Sequence, residues 1–397
     1  MSPHHLSSAP LPASAPAQTV VRMRSPGEIV SAVPFLLGFV PEDSVVIIGL
    51  RSRRLGLTCR LDLGDVLDDD EALEAVMGAF RREGVDGAIL VGFGRDREDT
   101  GPPLVAARTR LLEAGFGIFE EVSVVAGRWF HEVCSEERCC PPEGTPVVDH
   151  DAAPSTLALS AAMGAHLANR EEVAARCSPD QPLLVAAIRS ELDRLQRALP
   201  DDLEEDVVVS DLVAVLGWGG NDEPTPTQRA RAALLTTVPL VRDVWYALAA
   251  PGMMIGYAPD LSQIHERVAA AGLEGGDLDR AGILVDSDAR RRVLGRLLAW
   301  VRNLPDDRPE AAMGPLVIAA MAHWCAGDGA YASVLTERAG RLRTTPLGML
   351  HTLHTCIAHG LREPSLGWLA PEFAAAARSR RSRRGRRRGG GGPTRVA

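Results

Sequence analysis

Four side chains able to bind a soft metal ion or carry thiol chemistry fall within ten residues: His131, Cys134, Cys139 and Cys140, in the run HEVCSEERCCPPEG. Thiolate and imidazole are good zinc ligands, and four such groups close together can complete a tetrahedron. The spacing departs from common zinc motifs, since it holds no C-x2-C pair and its two adjacent cysteines reach one ion awkwardly. A thiol-redox reading instead pairs Cys134 with Cys139 or Cys140 across a tight loop. A third reading makes them packing thiols in a turn stiffened by Pro141 and Pro142. Residue types and spacing leave all three open.

A second set of candidates is electrostatic. Arg60 and Asp62 lie two apart in LGLTCRLDL, so on a strand both point to one face. They form either a simple ion pair or, with Asp43, Arg128 and His131, a cleft offering anion-binding and acid–base groups. Arg60, Asp62 and His131 are therefore the catalytic candidates. His351, His354, Cys356 and His359 spread too widely around a helix to form one compact metal face. Gly92-Phe-Gly94 and Gly217-Trp-Gly-Gly220 follow apolar runs but complete neither a dinucleotide fingerprint nor a P-loop. All 43 basic residues are arginine, which removes lysine Schiff-base and P-loop lysine chemistry.

The elements that must position these groups are legible in outline. Ser25-Pro-Gly-Glu28 reads as a capping box opening a short helix. Ser44 to Leu50 is an apolar strand, turned through Arg51-Ser-Arg-Arg54 into a second strand paired back on it. Asp65 to Arg82 has helical spacing, Gly87 to Gly94 reads as a strand, and Leu104 to Ala114 as a helix. Strands follow at Ile118 to Ala126 and Arg128 to Val133. The order predicts an α+β (α/β-like) fold, a small mixed β-sheet domain with packed helices. After Pro154 the strand signal stops, and helical segments such as Pro182 to Leu199, Gln228 to Ala250 and Ser287 to Asn303 predict an all-helical domain. Pro315 to Gly360 reads as three helices broken at Gly327-Asp-Gly329 and Thr345-Pro346.

Two segments together carry a resemblance. AVPFLLGFVPEDSVVIIGL, followed by Arg60-Leu-Asp62, and GRWFHEVCSEERCCPPEGTPV resemble an actinobacterial family known as a domain of unknown function. Further matches in kind are LANREEVAA, VRDVWYALA and HWCAGDGAYASVLTERA. The resemblance runs from about Arg22 to Leu366. It implies a domain extent and a pattern, and it brings no reaction to transfer.

Composition sets the remaining expectations. The chain of 397 residues is long for one core, so two parts are expected: an α/β domain over 21–153 and a helical domain over 154–377. Flanking them are a Pro/Ala/Ser-rich lead (1–20) and an Arg/Gly-rich tail (378–397), both expected to be disordered. Nine arginines lie between Arg378 and Arg395, leaving 34 arginines against 52 acidic residues before them, a formal charge of −18. An acidic body argues against nucleic-acid binding by the body, whereas the tail suits unspecific nucleic acid or an acidic partner. The start of the chain lacks a signal-peptide pattern, and the longest apolar run, Met313 to Ala326, is short and broken by Pro315 and His323. A cytoplasmic protein with no membrane association is expected. The leading functional expectation is a non-enzymatic binding or regulatory protein that meets a protein partner through its helical domain. Its rival is an enzyme using the Arg/Asp/His/Cys groups, either zinc-dependent or thiol-redox.

Overall fold

In the computed structural model, which describes residues 21–198, 210–211, 214–216, 223–239, 241–242, 245, 287–345 and 347–359, the apolar run Ser44–Arg51 is strand β1. Strand β2 (Arg54–Asp62) pairs antiparallel with it through a turn in which Ser52 and Arg53 both have positive φ, as a two-residue hairpin of type I′ requires. β3 (Gly87–Gly94) lies antiparallel on the other side of β1. β4 (Gly117–Val125) runs parallel to β3, and β5 (Arg128–His131) and β6 (Thr145–Pro146) continue antiparallel. The result is a six-stranded mixed sheet of order β2-β1-β3-β4-β5-β6, an α+β architecture as the sequence predicts.

Both faces of this sheet are covered. Val45 and Ile47 of β1, with Ala88 and Leu90 of β3, pack against α2 (Leu63–Asp68), α3 (Asp70–Glu83) and α4 (Arg97–Glu113). Val46, Ile48, Ile89 and Val91 point the other way and meet Val30 and Val33 of α1 (Pro26–Leu37), with Val122 and Trp129. The period-two alternation thus feeds two cores, and β1 and β3 are buried throughout except at one end.

Local details differ from the sequence reading. The helical stretch after Asp65 breaks at Asp69, whose side chain accepts a hydrogen bond from Glu71 N and caps α3. Helix α4 starts seven residues before Leu104, because Asp96 caps it by accepting from Asp99 N while Pro102 and Pro103 sit in its second turn. Ser25 caps α1 as expected, but Glu28 accepts from Arg24 N and from Ser155 Oγ rather than closing the box on Ser25.

Beyond Pro154 the named elements among the described residues are helical: α5 (Pro154–Met163), α6 (Arg170–Arg176), α7 (Pro182–Ala198), α8 (Pro226–Leu235), α9 (Ser287–Arg302), α10 (Pro309–Cys325), α11 (Gly329–Gly340) and α12 (Gly348–Ala358). The run that came nearest to a membrane span is α10. It is buried on every side from Ala311 to Trp324, which is what an all-apolar helix does at the centre of a helical core. At Gly314 it passes so close to Thr236 that a side chain there would collide. Among the described residues no helix is long and apolar enough to cross a membrane.

Two buried arginines hold this helical core. Arg338 donates to the carbonyls of Cys177, Val301, Arg302 and Leu304 and to the Asp306 carboxylate at 2.7–3.3 Å. Arg229 donates to the carbonyls of Pro224 and Ala299 and to Glu223. The helical core also reaches back to the sheet side. Val40 N donates to Leu167 O at 3.0 Å, Leu167 N donates to Gly38 O at 2.9 Å, and Phe39 packs among the helices. The expected lead 1–20, the Gly217–Gly220 motif and the arginine tail from Arg378 all lie outside the described residues.

Candidate metal centre

The cysteine-rich loop leaves β5, turns back through β6 and is fixed at both ends. Arg128, one of the cleft candidates, donates from Nε to Glu143 O at 2.6 Å and from Nη2 to Gly144 O at 2.7 Å. Gly144 closes the Pro141–Gly144 turn through its N–H to Pro141 O. Its φ is 73°, and a Cβ would lie 2.6 Å from the Phe130 ring, so only glycine fits there. On the other arm, Cys139 N and Cys140 N both donate to Glu136 O, at 3.1 and 2.8 Å, folding residues 136–140 into a tight turn.

This turn brings three sulfurs together. Cys134 Sγ lies 3.5 Å from Cys139 Sγ, and Cys140 Sγ lies 3.7 Å from Cys139 Sγ. All three fall within 4.8 Å of one another. Tetrahedral ligands with Zn–S bonds of about 2.3 Å stand about 3.8 Å apart, so the spacing suits one ion with little rearrangement. Adjacent Cys139 and Cys140 do converge, contrary to the expectation from spacing. Cys139 is exposed and its two neighbours are partly so, so the thiols do not form a packing core. Their acidities differ. A hydrogen bond to the Glu136 backbone, aided by the Cys140 and Cys139 thiols, holds the Cys134 thiol below its ordinary value. Burial, aided by the other two thiols, pushes Cys140 up to about 12.

His131 does not join them. Its Nδ1 accepts from Cys134 N at 2.9 Å and from Val133 N at 3.2 Å, which places the ring proton on Nε2, 2.9 Å from the Glu120 carboxylate. Nδ1 is thus spent on shaping the backbone that presents Cys134, and Nε2 on anchoring the ring to Glu120. The fourth ligand expected from the sequence is a positioning residue.

Nor does the electrostatic cleft assemble. Arg60 and Asp62 pair at 2.7 Å, and Arg60 also donates to Glu42 O, which pins the corner between β2 and α2. Asp43 sits at that corner with its carbonyl accepting from Leu63 N. Three strands separate β2 from β5, so this corner stands about 19 Å from Arg128 and His131 across the sheet. On α12, Cys356 is buried while His351 and His354 are exposed, so that group does not converge either.

The sequence reading missed what borders the thiols. Cys134 and Cys140 form part of the wall of a cavity of about 330 Å³, together with Arg97, Phe130, Glu132, Pro141 and Thr145. Arg97 bridges from α4 to Glu132 with two hydrogen bonds of 3.2 and 2.8 Å and lies over the Phe130 ring at 5.2 Å. No motif announces this contact, because it depends on α4 starting at Arg97. A larger recess of about 500 Å³ between Asp306 and Arg343 belongs to the helical core, and its deepest cation, Arg338, is saturated by the contacts given above.

Residues 26–363 match the profile of the domain of unknown function DUF4192, and the chain belongs to that family. No curated protein and no solved structure matches it.

Proposed function

We propose that this family member is a non-enzymatic binding or regulatory protein whose Cys134, Cys139 and Cys140 hold one soft divalent cation, zinc first. The convergence of three sulfurs at 3.5 and 3.7 Å on an exposed loop carries the reading. Three thiolates leave a dication with net charge −1, which makes it a weak Lewis acid and favours binding over hydrolysis. Exposed free thiols persist in a reducing compartment, which supports a cytoplasmic location. In this reading the helical segment meets a protein partner, and the arginine tail adds unspecific attraction for nucleic acid or an acidic surface.

Metal analysis of protein purified without chelator tests it. One zinc per chain is expected, and Cys139→Ser should lose it. Because Cys139 is exposed, the variant should match the metal-free wild-type protein in folding stability to within about 0.5 kcal/mol. A thiol-redox reading rests on the 3.5 Å separation of Cys134 and Cys139 and on the lowered pKa of Cys134. Metal-free protein that forms a Cys134–Cys139 disulfide stoichiometrically under mild oxidant would replace the metal reading with this one.

A further inference from the structure

Resting on the metal reading, we propose that the ion's fourth position is filled by an exogenous small thiol that enters through the cavity beside Cys134 and Cys140. Three observations lead there. Among the described residues, no fourth His, Cys, Asp or Glu joins the three sulfurs. His131, the fourth ligand the sequence offered, has both ring nitrogens occupied, Nδ1 by Cys134 N and Val133 N and Nε2 by the Glu120 carboxylate. Two of the three ligating cysteines line a cavity of about 330 Å³, the size of a small-molecule site at the lower end of the usual range.

The chemistry of the wall and of the ion selects the ligand class. A centre with three thiolates is soft, and a fourth sulfur completes the set that closed zinc sites use. Phe130, Pro141 and Pro142 offer an apolar side for a short carbon chain, while Ser135, Thr145 and the Arg97–Glu132 pair offer polar contacts. Exchange is balanced without a redox partner. The thiol sulfur bonds to the ion, the water it displaces leaves, and the thiol proton passes to bulk water. The protein would then sense a small thiol by reversible ligation, with Phe130 and Thr145 setting how large a thiol fits.

Cobalt(II) substituted into the full chain provides the readout, because sulfur-to-cobalt charge transfer scales with the number of bound sulfurs. Three cysteines should give such a band, and added 2-mercaptoethanol should raise it by about one third, saturably, as three sulfurs become four. Thr145→Phe, which fills the cavity, should keep the initial band and lose the response. Ser135→Trp offers a second block from the loop side should the first variant fold poorly. A band that is present but indifferent to 2-mercaptoethanol overturns the open position and leaves the metal reading standing. A response that survives both blocking variants overturns the cavity as the route. Absence of any charge-transfer band on cobalt addition removes the metal reading and this inference with it.

Discussion

In the sheet, apart from Ser44 at the start of β1, the deepest residues of β1 and β3 are Val, Ile, Leu and Ala, and their peptide groups are satisfied along the ladders to neighbouring strands. In the helical segment, α6 and α9 end near the same point, and their last carbonyls have no partner within their own helices. A cation from α11 supplies the missing donors: Arg338, 4% exposed, serves four carbonyls and one carboxylate. A sheet satisfies its backbone by extending itself, whereas helices that meet end-on need a side chain brought in from elsewhere. Stability in the two regions should therefore respond to different substitutions.

The largest effect is expected at Arg338. Arg338→Ala should cost about 3–5 kcal/mol, since it orphans several buried carbonyls at once. Arg338→Met should fare little better, because the acceptors are backbone and cannot be replaced along with the cation. Denaturant unfolding measures both. A well-tolerated Met variant would show that packing volume, and not donor supply, holds the helix ends.

A second test uses pH. Burial pushes the Cys177 thiol, next to this cluster, up to about 12, with Arg338 and Arg302 opposing the shift. In the unfolded chain a thiol titrates near ~8.5. Below that pH the group is neutral in both states and contributes no pH dependence. Between about 8.5 and 12 the unfolded chain loses this proton and the folded chain keeps it, so stability falls by about 1.4 kcal/mol per pH unit. Cys177→Ala should remove that part of the slope in alkaline unfolding curves. An unchanged slope would place the alkaline sensitivity elsewhere in the helical core.

The smallest effect is expected in the sheet. Ile47→Val removes one methylene from a fully buried position without orphaning a polar group, and should cost about 0.5–1.5 kcal/mol. A loss comparable to that of Arg338→Ala would erase the contrast between the regions.

What the sequence disclosed follows the same division. The strands Ser44–Arg51 and Gly87–Gly94 could be read to within a residue, because two-sided burial demands unbroken apolar runs. The cysteine loop was visible as a cluster, yet which atoms converge depended on the Glu136 turn and on hydrogen bonds to His131 that spacing alone does not encode. Arg97 and α4's first turn were hidden behind Pro102 and Pro103, which look like a stop but are tolerated inside the helix. Arg338 was hardest to foresee. An arginine in ASVLTERAG looks like an ordinary surface residue until the ends of two other helices close around it.

The pairing of Phe39 with Leu167 has a consequence in time. The two residues stand 128 positions apart, so at a synthesis rate of about 5–20 residues per second Leu167 leaves the ribosome about 6–26 s after Phe39. Every strand of the sheet lies before Leu167, so the sheet can assemble in that interval while the Phe39 ring still lacks its place among the helices. Until the helices emerge, the Phe39 ring therefore waits beside a finished sheet without the neighbours that later bury it.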